Sequence, residues 1–216
     1  MEDTLEFTIK NADFIIKKFG ISTQNNKVCL YCEVFYITNI AEQISLDLYI
    51  DSLNIFQVIL TLEKIFKQVE LILDTTFPLY IKVPKMLCSF EKLVQIIKSS
   101  SGINLVINIT ANCLALLTAT QRGQLQKLAN EYNTELWLTG FNILSLKKDE
   151  LDYFDCLLIN DIEFYQGLAN VAYSSCISSI IPCFFKQLII YGDGKTNENN
   201  LLAGTDNTYL ETNNLK

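Results

Sequence analysis

Leu79-Tyr80-Ile81-Lys82-Val83-Pro84, followed by Phe90–Lys98 and then by Asn104-Leu105-Val106-Ile107-Asn108-Ile109-Thr110, is the stretch that decides the fold. The two outer runs are short and nearly unbroken in apolar residues, while the segment between them spaces its apolar residues three or four apart. A strand with one wet face alternates apolar and polar residues, whereas a strand covered on both faces does not. Two such strands, Leu79–Val83 and Asn104–Ile109, joined by a helix predict a parallel β-helix-β unit.

The same alternation extends in both directions. Strand-like runs occur at Lys27–Ile37, Glu135–Thr139, Cys156–Asn160 and Gln187–Tyr191, and helix-like stretches at Leu53–Leu73, Gln121–Tyr132, Phe164–Phe184 and Asn197–Ala203. In the first helix, Leu53, Phe56, Ile59, Leu60, Leu62, Ile65 and Phe66 form a broad apolar face, with Glu63, Lys64, Lys67 and Gln68 among its polar positions. No repeat, low-complexity block or Pro/Gly-rich linker interrupts the 216 residues, so one α/β domain over 1–216 is expected. Pattern alone leaves a doubly wound sheet and a (β/α) barrel open. In either, functional groups lie just beyond the C-terminal ends of the strands.

Composition narrows the chemistry. The chain is 50% hydrophobic and 19% charged, which predicts a packed core rather than disorder. Its net charge of −7 argues against a direct nucleic-acid binder, since no basic surplus is present to replace counterions. There is no histidine, which removes Ser-His-Asp and Cys-His sites, imidazole acid–base catalysis and most transition-metal sites. Met1-Glu2-Asp3 opens acidic and no early apolar run follows, so no secretory signal is expected. Seven cysteines in that setting point to a reducing cytoplasm, with Cys29 and Cys32, the one CxxC pair, serving as core residues. Val171–Ile190 is apolar, but its serines, Lys186 and Pro182 make it a buried helix running into a buried strand rather than a membrane span.

Several features imitate sites. Gly192-Asp193-Gly194-Lys195-Thr196 resembles the end of a P-loop, but the first glycine of GxxxxGK(S/T) is replaced by Ile189, which leaves a tight turn as the better reading. Asn108-Ile109-Thr110 is a formal glycosylation sequon without a secretory context. At the strand ends only Glu33, Asp161 and Asp193 are acidic, a poor set for a divalent cation, which needs several convergent oxygen ligands.

Taken in order, these strand ends resemble the EAL family of cyclic-di-GMP phosphodiesterases, from about Phe14 to Glu211. Phe14–Lys27, with the turn Thr23–Asn26, is similar to the opening strand and hairpin turn of that family. Cys32-Glu33-Val34-Phe35 falls where the Glu-Ala-Leu signature belongs. Leu79–Pro84 is similar to the VNLS strand, Asn104–Thr110 to LEITE, Glu135–Asn142 to IALDDFG, Asp155–Asp161 to LKID and Leu188–Thr196 to VVAEGVET. Asn197–Gly204 and Thr205–Glu211 stand in the places of the last helix and strand. The resemblance implies a TIM-type (β/α) barrel, incomplete at its C-terminus because the chain stops soon after Glu211.

In active members these motifs hold metal ions and a lysine that helps to activate water. Carried over, the VNLS asparagine is Lys82, the LEITE glutamate is Ile109, the paired aspartates are Thr139 and Gly140, and the LKID lysine and aspartate are Leu158 and Asn160. The two glutamates of AEGVET are Gly192 and Lys195, and only Glu33 survives. The resemblance therefore implies a non-enzyme with no metal and no cofactor, because one carboxylate cannot hold the cations of in-line hydrolysis and Lys82 would repel them. The segment Asn142–Lys148 lacks the glycine of the catalytic loop, which argues against cyclic-di-GMP binding.

The short, stand-alone YdiV type, which represses flagellar genes by binding a subunit of the flagellar master regulator, is similar in size and layout. That implies a cytoplasmic regulator acting through a protein partner such as a transcription factor, with no membrane and no direct nucleic-acid contact. The partner surface is expected at Leu144, Leu146, Tyr153 and Phe154, apolar residues interleaved with charge. The alternatives are a non-catalytic cyclic-di-GMP receptor and an unrelated α/β protein.

Overall fold

The computed structural model describes residues 5–9, 12–23, 28–38, 42–72, 78–144, 148–180, 187–192 and 208–212. In chain order its elements are β1 (Leu5–Ile9), β2 (Ala12–Thr23), β3 (Val28–Ile37), β4 (Gln43–Ser45), α1 (Leu46–Asp51), α2 (Ile55–Ile72), β5 (Leu79–Lys82), α3 (Phe90–Ser99), β6 (Leu105–Thr110), α4 (Ala111–Leu114), α5 (Ala119–Glu131), β7 (Thr134–Thr139), α6 (Lys148–Leu151), β8 (Cys156–Asn160), α7 (Asp161–Leu168), α8 (Val171–Ile180), β9 (Gln187–Gly192) and β10 (Thr208–Thr212). They form two compact units that interleave in sequence. The first comprises Met1–Phe19, Leu30–Ile109 and Cys113–Leu136; the second comprises Gly20–Cys29, Thr110–Asn112 and Trp137–Lys216.

In the first unit β3, β5 and β6 run parallel, as the opening stretch predicts, with β4 antiparallel on β3 and β1 antiparallel on β2. α2 packs against α3 and β1, and α3 against α5. The helix boundaries follow local chemistry. α2 starts at Ile55 rather than Leu53 because Asn54 and Gln57 cap each other's backbone: Gln57 N donates to Asn54 Oδ1 at 3.1 Å and Asn54 N to Gln57 Oε1 at 3.0 Å. Thr118 and Gln121 form the same reciprocal box at the head of α5. Val58, Leu62, Ile65, Phe66 and Val69 then turn one face of α2 into the core, each contributing about 1.5–3 kcal/mol over exposure. β1, β4 and α1 lie outside the expected elements.

In the second unit β8 is parallel to β7 and β9, and β10 is parallel to β9. The expected last strand, Thr205–Glu211, is therefore a strand at Thr208–Thr212. The expected helix Phe164–Phe184 is two helices. α7 begins at Asp161, directly after β8, and Asn170 starts α8 anew, its Oδ1 accepting from Ala172 N at 2.9 Å and Tyr173 N at 3.3 Å. Asparagine offers the backbone this alternative to a continuing helix, which the apolar spacing does not reveal. α8 is only ten residues long, and among the described residues no helix is long and apolar enough to cross a membrane. The turn Gln24–Asn26, the helix expected at Asn197–Ala203 and the P-loop look-alike at Asp193–Thr196 lie outside the described residues.

Gly167 sits where α7 meets α8. A Cβ there would come within 2.5–2.7 Å of three ring atoms of Tyr173, itself a core residue. Helix propensity alone would favour alanine by about 1 kcal/mol. Overpacking a rigid ring opposes this by about 1–3 kcal/mol. Gly167→Ala is therefore expected to lower the urea midpoint of unfolding; a raised midpoint would show that the two helices separate freely.

Candidate functional site

In the first unit the C-terminal ends of the parallel strands gather polar groups. Glu33 on β3 is in register with Tyr80 on β5, and Lys82 on β5 with Asn108 on β6. Register partners share a face of the sheet, as do residues two apart, so Glu33, Tyr80, Lys82 and Asn108 lie on one face. Ile109 alternates to the opposite face and is buried there, so Asn108 stands beside Lys82 and Ile109 does not.

Asn108 is only 1% exposed. Its Nδ2 donates to Tyr80 Oη, while its Oδ1 finds no hydrogen-bond partner. The Lys82 ammonium lies 3.1 Å from Asp47 Oδ2 at the start of α1, and Ser45 Oγ donates to the other carboxylate oxygen. Burial alone would raise the Asp47 pKa, but the Ser45 hydroxyl and the Lys82 cation outweigh it and hold the group below its ordinary value. The result is a neutral amide–phenol pair beside an internally compensated ion pair.

This donor set does not fit a divalent cation. Among the described residues no group of three or more His, Cys, Asp or Glu converges to hold a metal ion. At the end of β5 an ammonium already occupies the nearby carboxylate, and a second cation would meet its repulsion. Asp47 and Tyr80 were not singled out by the sequence reading, and Asn108 only as the acceptor of a formal glycosylation sequon.

In the second unit the row level with the end of β7 carries no charge. Thr139, Leu158 and Ile189 form one register row across β7, β8 and β9, and all three are buried. Gly140 ends β7 with φ +62°, a left-handed conformation that favours glycine, and open space surrounds it. Asn160 and Gly192 close β8 and β9, but the Asn160 side chain and Lys195 lie outside the described residues.

The expected partner surface divides. Leu144 is exposed and Tyr153 half-buried, while Leu146 lies outside the described residues. Phe154 is 1% exposed and cannot meet a partner: its ring is part of the core of the second unit, which corrects its assignment to an interface. Most of the described cysteines behave as small apolar residues. Cys32, Cys88, Cys113 and Cys156 are buried, and burial, with the neighbouring Cys88 thiol, pushes the Cys113 thiol up. The Cys29 side chain lies outside the described residues.

No family model and no curated protein matches the sequence. Solved structures do match. The EAL domain of FimX from Pseudomonas aeruginosa, bound to cyclic-di-GMP, superposes with a TM-score of 0.63 at 13% identity, over 92% of this chain and 88% of that one. The EAL-like domain protein YdiV gives 0.58 at 12% identity, over 94% and 90%. The YkuI protein of Bacillus subtilis, with an EAL domain, in complex with cyclic-di-GMP and calcium, gives 0.58 at 16% identity; this chain spans 90% of itself but 52% of YkuI. The chain therefore has the fold of an EAL domain, a TIM-barrel-like arrangement of parallel strands and helices.

Proposed function

We propose that the chain is a catalytically inactive EAL-like protein that acts in the cytoplasm by binding another protein, as a regulator of flagellar or other gene expression through a transcription factor. The observation that carries this reading is the Lys82–Asp47 ion pair at the end of β5, beside the buried amide of Asn108. A hydrolytic metal site needs convergent anionic oxygens, and at this corner the Asp47 carboxylate is already paired with Lys82 and position 108 is a neutral amide. The buried row Thr139–Leu158–Ile189, which carries no charge, supports the same reading from the second unit. Leu144 and Tyr153 remain as candidate partner contacts, with the flagellar master regulator as the first partner to test.

A second reading, a non-catalytic cyclic-di-GMP receptor, is favoured by one specific feature: the orphaned Oδ1 of Asn108, a buried acceptor facing a polar strand end. Titrating the chain with cyclic-di-GMP by calorimetry, first with Mg²⁺ and then with Ca²⁺, separates the two. No heat up to high micromolar ligand is expected. Saturable heat without turnover would replace the partner-binding reading by the receptor reading, and turnover would sink both.

A further inference from the structure

α2 turns a second face to solvent that the core does not use. Phe56 is 77% exposed and Leu71 78%, with Leu60 half-exposed between them and Lys67 exposed on the same side. Glu63 and Lys64, at the middle of the helix, are half-buried at the edge of this stripe. An α-helix brings residues three, four, seven and eleven apart onto one side, so Phe56, Leu60, Glu63, Lys64, Lys67 and Leu71 make one continuous strip about four turns long. Phe56 and Leu71 stand at the two ends of this strip, the large apolar side chains that it leaves most open to solvent.

The order of this strip is its own complement. Read from either end, it runs from a large apolar residue, through a position one turn inward, to an acid and a base at the centre. When two copies of α2 lie antiparallel about a two-fold axis between Glu63 and Lys64, Phe56 of one meets Leu71 of the other. Leu60 meets the aliphatic stem of Lys67, and Glu63 meets Lys64. Both central contacts then pair opposite charges, and both ends bury apolar against apolar.

We propose that α2 is a self-association surface, on which a second copy of this chain docks its own α2 antiparallel across a two-fold axis. A two-fold interface must be self-complementary, and this strip satisfies that in both charge and hydrophobicity. A hollow of about 200 Å³ opens beside Leu60, with Phe14 and Tyr49 in its wall. One helix face falls short of the roughly 800 Å² per partner of a standard interface, so the association is reversible and concentration-dependent. The net charge of −7 also disfavours an anionic membrane as the occupant.

Sedimentation equilibrium of the whole chain over a wide concentration range tests this. The wild type is expected to move from one copy towards two as concentration rises, and Phe56→Ser is expected to weaken that step. Glu63→Lys places two lysines opposite two lysines, and Lys64→Glu places two acids opposite two acids. Each single variant is expected to associate at least roughly tenfold more weakly than the wild type. An equimolar mixture of the two restores opposite charges across the axis and is expected to recover association, a result that misfolding of either variant would not produce. A wild type that stays monomeric throughout overturns the proposal, as do single variants that associate like the wild type or a mixture that fails to recover. Phe56-dependent binding to phosphatidylglycerol vesicles by a monomer would also overturn it, in favour of a lipid surface.

Discussion

Replacing Phe154 by alanine is expected to destabilise the second unit by about 3–5 kcal/mol, the range for removing a large aromatic side chain from a packed core. The ring is 1% exposed and lies three residues beyond the end of α6, between Leu151 and Cys156 in sequence, both buried. Few of its atoms can be replaced by water, and the rigid strands of a parallel sheet collapse poorly into the cavity left behind. Leu144→Ala, ten residues earlier and exposed, is expected to change stability by no more than about 0.5 kcal/mol. Urea unfolding followed by circular dichroism measures both. Similar small losses for the two variants would mean that Phe154 leaves the core in solution, and it would then return as a partner contact. The contrast matters for function: a partner-binding defect caused by Phe154→Ala would report unfolding, whereas one caused by Leu144→Asp or Tyr153→Asp would report the surface.

The strands that were legible in the sequence share one property. β6 and β8 are buried along nearly their whole length, β7 is buried at most positions and β5 at Leu79 and Ile81, and the bounds of β5 to β9 differ from expectation by a residue or so. What was not legible depends on contacts distant in sequence. β4 is three residues long and exists because it pairs with β3 through Phe35, Tyr36 and Ile37. The break at Asn170 was hidden because Phe164, Tyr173 and Ile177 are all core residues, so the apolar content runs across it although the backbone stops. The site divides in the same way. Lys82 was visible as a cation at a strand end. Asp47, which neutralises it, comes from a helix that the sequence did not announce. The choice between Asn108 and Ile109 turns on a one-residue register, which reverses every side chain of a strand and is set by its neighbour.

Asn108→Asp puts the question of the cation directly to the site. At neutral pH the substitution places a carboxylate where the amide is 99% buried, and an uncompensated charge at such a position costs about 3–5 kcal/mol. Lys82 is in register with residue 108, but its ammonium is 3.1 Å from Asp47 and half in water, so it offsets only part of that loss. Desolvation raises the pKa of the introduced group in the folded state above its unfolded value. The unfolded chain is then the better acid. The penalty is fully present above the folded pKa, shrinks as pH falls through it, and vanishes below the unfolded value near 3.9. Thermal melting of the variant is therefore expected to approach that of the wild type on acidification, and Mg²⁺ or Ca²⁺ at neutral pH is expected to restore nothing. Rescue by either ion would mean that Glu33 and the new carboxylate coordinate it in spite of Lys82. The strand ends would then keep the geometry of a cation site with only its charges exchanged, and the receptor reading would gain at the expense of partner binding. Absence of rescue, with the acid recovery intact, would show that the lysine–aspartate pair keeps metal from this corner and that adding one carboxylate does not admit it.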